Sequence, residues 1–181
     1  MKKGFMRKIV WVITLVVIVV ACTSRRGGSE VFPKDFFGVK FGDDSATVKK
    51  KWREAKMYQG GEARHDWLLH FRKRPEGYVS FGGAVWEYVD AIFDEDGRLV
   101  TVRMMNSYGS KAEAMRAYDA AVGKVASHYG IVMREARTEN GGMFRKHGYL
   151  DGKNRAVLMC CSQYTTEGGH EMYNVRLEFT E

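Results

Sequence analysis

Residues 171–179, EMYNVRLEF, change character at every step. Tyr173, Val175, Leu177 and Phe179 are apolar or aromatic, and Asn174, Arg176 and Glu178 between them are polar. Successive side chains of a strand point to opposite faces, so this stretch reads as a strand with one buried and one wet face. Strands of this kind belong to antiparallel sheets. Similar apolar runs occur at 77–83 (GYVSFGG), 84–94 (AVWEYVDAIFD), 98–106 (RLVTVRMMN), 131–137 (IVMREAR), 143–150 (MFRKHGYL) and 155–164 (RAVLMCCSQY). Short turn sequences separate them, among them DEDG at 94–97, DGKN at 151–154 and TTEGG at 165–169. DWLLHF (66–71) reads as one strand more, and Gly82-Gly83 as a bulge or bend.

Two segments carry the helical period instead. Ser110-Lys111-Ala112-Glu113 has the spacing of a capping box. Met115, Tyr118, Val122, Val125 and Tyr129 follow at steps of three and four, and Gly130 supplies a stop. A shorter helix is expected at 43–55 (DDSATVKKKWREA), capped by Asp44 or Ser45, with Val48, Trp52 and Ala55 on its inner face. The order helix, strands, helix, strands predicts an α+β fold, with two helices packed on one face of an antiparallel meandering sheet. The two halves can be read as divergent copies of one helix-plus-strands unit.

The start of the chain has a different grammar. Lys2, Lys3, Arg7 and Lys8 precede an apolar run, Ile9–Val20, that only Thr14 interrupts. A charged segment followed by a short apolar one is the pattern of a secretory signal, and the run is short for a permanent span. It ends in Val19-Val20-Ala21-Cys22, which resembles the lipobox of bacterial lipoproteins. That resemblance implies cleavage after Ala21 and acylation, including palmitate-type chains, at Cys22. The chain then divides into a signal peptide (1–21), a flexible tether (22–36) and a single α+β domain (37–181). Thr23 is not the acidic residue that marks retention at the inner membrane in enteric lipoproteins. The expected address is therefore the outer membrane, on its periplasmic side or at the surface.

The leader also explains much of the charge. The whole chain has 29 basic against 22 acidic residues and a formal charge of +7. Four of those cations lie in the leader, so nucleic acid is not an expected partner.

At FFGVKFGDDSATVKKKW (36–52) the Gly-x-x-Phe-Gly step into a capped helix resembles small envelope lipoproteins of BamE type and β-lactamase-inhibitor-like domains. These families set helices against antiparallel sheets and act by binding proteins. Their following Leu-Gly-x-Pro segment is replaced here by REAKMYQGG, and no binding residues carry over.

No constellation announces chemistry. Cys160 and Cys161 are neighbours, so their side chains point to opposite faces of a strand, and C-C-x8-H to His170 is not a zinc spacing. His65 and His70 lie five apart, and His128 and His147 belong to no metal motif. Asp94, Glu95 and Asp96 fit a hairpin turn better than a calcium loop. Trp67, Tyr78, Phe81, Trp86 and Tyr88 either enter the core or form an exposed docking patch. Cys22 is thus the one site residue, as the lipid attachment point, with no catalytic, cofactor-binding or metal residue assigned. The expected function is that of a lipid-anchored envelope protein, a non-catalytic module with an envelope protein partner. The alternatives are an envelope hydrolase, using His147, His170 and the cysteines, and a lipoprotein that binds a small apolar ligand.

Overall fold

The computed structural model describes residues 32–60, 67–73, 77–136, 142–153 and 155–181. The signal peptide, Cys22 and the tether up to residue 31 lie outside these residues, as does His65.

Helix α1 spans Ser45–Glu54. Asp44 caps it, its carboxylate accepting from the Thr47 N–H at 2.7 Å. Val48 and Trp52 are its buried residues. The Trp52 indole N–H donates to the Phe36 carbonyl at 2.9 Å, which fixes the helix against the segment before it. Helix α2 spans Lys111–Tyr129 and begins as its sequence predicts, with Ser110 Oγ accepting from the Glu113 N–H. Gly130 ends it at φ +62°, and the Ile131 N–H returns to the Ala126 carbonyl. The stripe α2 buries is Ala114, Tyr118, Ala121 and Val125. Met115, Val122 and Tyr129 lie at its margins, half-buried.

Ten strands follow the chain as β1 (Met57–Gln59), β2 (Leu68–Lys73), β3 (Val79–Phe81), β4 (Ala84–Trp86), β5 (Tyr88–Phe93), β6 (Leu99–Tyr108), β7 (Arg134–Glu135), β8 (Met143–Leu150), β9 (Ala156–Thr165) and β10 (Glu171–Thr180). Eight form one antiparallel sheet in the order β1-β2-β5-β6-β10-β9-β8-β7, and β3 and β4 make a separate hairpin. The sheet has two halves joined along β6 and β10: β1-β2-β5-β6, with the β3–β4 hairpin inserted between β2 and β5, and the meander β7–β10.

The expectation of an α+β layer structure, or of helix-plus-strands units, needs correction. Among the described residues 48% are in strand and 21% in helix, so the fold is β-rich. The reason lies in what covers the apolar face of the sheet. Helix α1 has ten residues and buries two of them. Much of the cover near β10 comes instead from an irregular segment and the β3–β4 hairpin. Phe179 of β10 meets Phe32, Phe36 and Phe81 with ring centroids 5.4–5.9 Å apart, and Tyr129 of α2 closes the cluster at 5.7 Å. Phe32 and Phe36 are both buried. The last residues of the expected tether, 32–36, are therefore part of the folded body, since burying each phenyl ring contributes about 1.5–3 kcal/mol.

The hairpin reaches α2 through its glycines. Gly82 and Gly83 have φ +59° and +76°. A Cβ on Gly83 would stand 3.1 Å from His128 Cβ and 3.2 Å from the Lys124 carbonyl oxygen, so the turn lies directly on the helix.

Candidate functional site

Alternation along β10 sends Val175, Leu177 and Phe179 to the covered face, and all three are buried. Register carries that assignment across the sheet. Leu177 sits opposite Met104 on one side and Met159 on the other, and Met104 sits opposite Val89. Both helices lie on this side. Trp52 meets Phe71, the neighbour of Val89, at 5.1 Å, and the Tyr118 hydroxyl bonds His147 Nδ1 at 2.6 Å.

Asn174, Arg176 and Glu178 therefore belong to a face that neither helix covers. The row through Glu178 is His70 (β2), Asp90 (β5), Arg103 (β6), Glu178 (β10), Leu158 (β9) and Gly148 (β8). Its first four residues form a charged ladder. His70 Nδ1 lies 2.5 Å from Asp90 Oδ1, Arg103 Nη1 3.6 Å from Asp90 Oδ2, and Arg103 Nε 2.9 Å from Glu178 Oε1. Asp90 is only 3% exposed, and its two oxygens are held from the strands on either side. The His70 ring also stacks on Tyr88, with centroids 4.7 Å apart.

The adjoining row holds Tyr88, Met105, Arg176, Cys160 and Lys146. Burial, followed by Glu87, raises the Tyr88 hydroxyl above its ordinary pKa. Burial pushes the Cys160 thiol up to about 11, with Glu178 adding to the rise, while Arg176, Lys146 and Arg103 oppose it. Cys160 is therefore a neutral thiol near pH 7, unlike the thiolate of a reactive cysteine.

The residues singled out for chemistry do not converge. Cys161 points into the covered core and Cys160 onto the open face, and both are free. His147 is engaged by Tyr118 on the covered face. His170 lies in the β9–β10 turn, where its N–H bonds Thr166 Oγ1. Among the described residues, no three of His, Cys, Asp and Glu are grouped to hold a metal ion. Asp94 closes its hairpin, accepting from the N–H groups of Asp96 and Arg98. A shallow groove of about 570 Å³ runs along the solvent side of α2 by Gly83, Gly123 and Ser127, and not between helix and sheet.

The aromatic run divides. Trp86 is buried and Phe81 joins the core, Tyr88 lies on the open face, and Trp67 and Tyr78 are exposed. Sequence reasoning saw Arg176 and Glu178 as a wet face but missed Asp90 and Arg103. The signal for both is a lone charge inside an otherwise apolar strand, VDAIF and VTVRM.

No described helix is long and apolar enough to cross a membrane. No protein family, no curated protein and no solved structure matches this chain.

Proposed function

We propose that this chain is a lipid-anchored protein of the bacterial cell envelope, attached through Cys22 at the outer membrane, that binds another envelope protein without catalysis. The lipobox Val19-Val20-Ala21-Cys22 supports the anchor. More than one acyl chain on Cys22 makes attachment stable without a spanning helix.

The observation that carries the binding role is the open face of the eight-stranded sheet. Its charged side chains are held in a cross-strand ladder, with Tyr88 stacked beside them. Groups fixed before contact lose little side-chain freedom on binding, which favours affinity. Tyrosine and arginine are also the residues that most often dominate protein interfaces.

Two measurements in cells test the reading. Cys22→Ala abolishes incorporation of labelled palmitate and releases the protein from the membrane fraction. A photo-crosslinking residue at Tyr88 gives a defined adduct with an envelope protein, and one at Arg116, on the solvent side of α2, does not. Palmitate retained in Cys22→Ala overturns the anchor. Adducts absent at position 88, or equal at both positions, overturn the binding face.

A further inference from the structure

The open face along the β6–β10 seam presents four cross-strand pairs, and three are matched. Thr101 and Thr180 share a hydrogen bond at 3.1 Å, Arg103 and Glu178 an ion pair at 2.9 Å, and Ser107 and Asn174 a hydrogen bond at 2.9 Å. In the fourth, Arg176 stands opposite Met105. Its Nε forms only a long ion pair with Glu178 Oε1, at 3.7 Å and beyond hydrogen-bond reach, and that oxygen is already bonded by Arg103 at 2.9 Å. Arg176 Nε is buried and has no hydrogen-bond partner among the described residues.

The next strands add a second cation beside this weakly paired arginine. Cys160 lies opposite Arg176, and Lys146 lies opposite Cys160 in the same row. Among the described residues Lys146 makes no ion pair. Two strand spacings, about 10 Å, separate the backbones of Arg176 and Lys146. Between them Cys160 is small and 2% exposed, a neutral floor that cannot serve as their anion.

We propose that Arg176 and Lys146, over Cys160, form an anion site that takes a carboxylate side chain of an acidic partner protein. The proposal deepens the protein-binding reading of this face and rests on it. Charge selects the carboxylate. Arg103, Arg176 and Lys146 are three cations against the two carboxylates Asp90 and Glu178, and the His70 imidazole held by Asp90 adds no negative charge, so the cluster has a positive excess. A carboxylate meets that excess with a single charge, whereas a doubly charged phosphate brings a second one beside two fixed acids. Tyr88 and Met105 extend the row on the far side of Arg176, an apolar shelf for the chain that bears the carboxylate.

The test uses the full chain in detergent micelles and three probes: a peptide of alternating Glu and Tyr, its Gln–Tyr counterpart, and inorganic phosphate. The Glu peptide is expected to shift the Arg176 Nε–Hε resonance, and its affinity to fall about tenfold in Arg176→Gln and about threefold in Lys146→Gln. The Gln peptide and phosphate are expected to leave that resonance in place. Lys146 is half-buried and unpaired, so its variant keeps the fold and the comparison valid. Unchanged affinity in both variants overturns the site, and so does phosphate displacing the peptide. Crosslinks at Tyr88 that persist unweakened in both variants overturn this site while the protein-binding reading stands. Glu-peptide binding that depends on Arg176, where no crosslink forms at Tyr88, supports the site and overturns that reading.

Discussion

Replacing Arg103 by methionine tests whether the open-face ladder is a structural tie or surface decoration. Methionine keeps much of the aliphatic stem and removes only the guanidinium, which joins Asp90 on β5 to Glu178 on β10. Without it Asp90 keeps His70 alone, and Glu178 keeps Arg176 at 3.7 Å. At an effective dielectric near 20, unit charges about 4 Å apart interact by about 4 kcal/mol, an upper figure for each pair. The Arg103 side chain is 23% exposed, so water screens part of this. Exposed pairs are worth about 0–1 kcal/mol, and breaking a fully buried one costs about 3–5 kcal/mol. The ladder lies between these limits, and the expected loss is about 2–3 kcal/mol.

Urea unfolding followed by tryptophan fluorescence reads that loss, because Trp52 and Trp86 are fully buried. The midpoint should fall with the slope unchanged, which assigns the effect to stability rather than to compactness of the unfolded chain. A cycle with Glu178→Gln should return a coupling of about 1 kcal/mol. Most of the loss should persist in 1 M salt, where exposed charges more than about 3 Å apart are screened. A loss below about 0.5 kcal/mol, or one that disappears in salt, refutes the reasoning and makes the ladder a screened surface feature.

Two further perturbations test the packing. Gly83→Ala should cost about 2–3 kcal/mol, because its left-handed backbone and its contact with α2 both resist a Cβ; Gly38→Ala, at φ +83° with open space around it, should cost only the backbone part, about 1–2 kcal/mol, and equal losses by urea unfolding would refute the contact. Alkylation at pH 8 should leave native Cys160 and Cys161 unmodified and label both in urea. The folded state holds the Cys160 proton more tightly than the unfolded chain, so its contribution to stability is complete below about pH 8.5 and is lost as pH rises toward about 11. Cys160→Ala should flatten that part of the pH–stability curve, and native labelling at the rate of a free thiol would refute the burial.

Periodicity made some elements legible and left others invisible, for identifiable reasons. Strand β8 occupies 143–150 and β10 occupies 171–180, where the apolar segments predicted them. The segment 84–94 divides at Glu87, whose N–H is taken by Asn106 Oδ1 and the Met105 carbonyl, a partnership nearly twenty positions away that no local pattern contains. Of the segment 131–137, the described residues 131–136 yield only Arg134–Glu135 as strand, because the Ile131 N–H closes the α2 cap. Strand β1 was missed: Met57–Gln59 is three residues long and buries one side chain, too short for an alternation to register. The helices' part in covering the sheet was overestimated because Phe32 and Phe36 cover it from an irregular segment, and irregular cover has no period. The ladder stayed hidden since register alone brings Asp90, Arg103 and Glu178 together across three strands.

That register explains why one unmatched arginine can be tolerated at the seam. On the covered face Val102 opposes Phe179 and Met104 opposes Leu177; on the open face the polar pairs oppose one another. A slip of one residue would turn Arg103 toward the core and Leu177 toward water, so both faces oppose it. With its register fixed this strongly, the sheet can carry a local mismatch without rearranging to relieve it. Arg176 is where the mismatch falls: a buried Nε opposite methionine, in a seam whose other open-face pairs satisfy each other. Positions where a consistent fold breaks its own pattern are where function is expected to have set the residue. A glutamine at position 176, shorter and uncharged, should therefore raise stability slightly or leave it unchanged, while weakening the hold on an acidic partner. A loss of stability as large as that from Arg103→Met would instead make Arg176 a fifth member of the ladder, and the anion site would fall with that result.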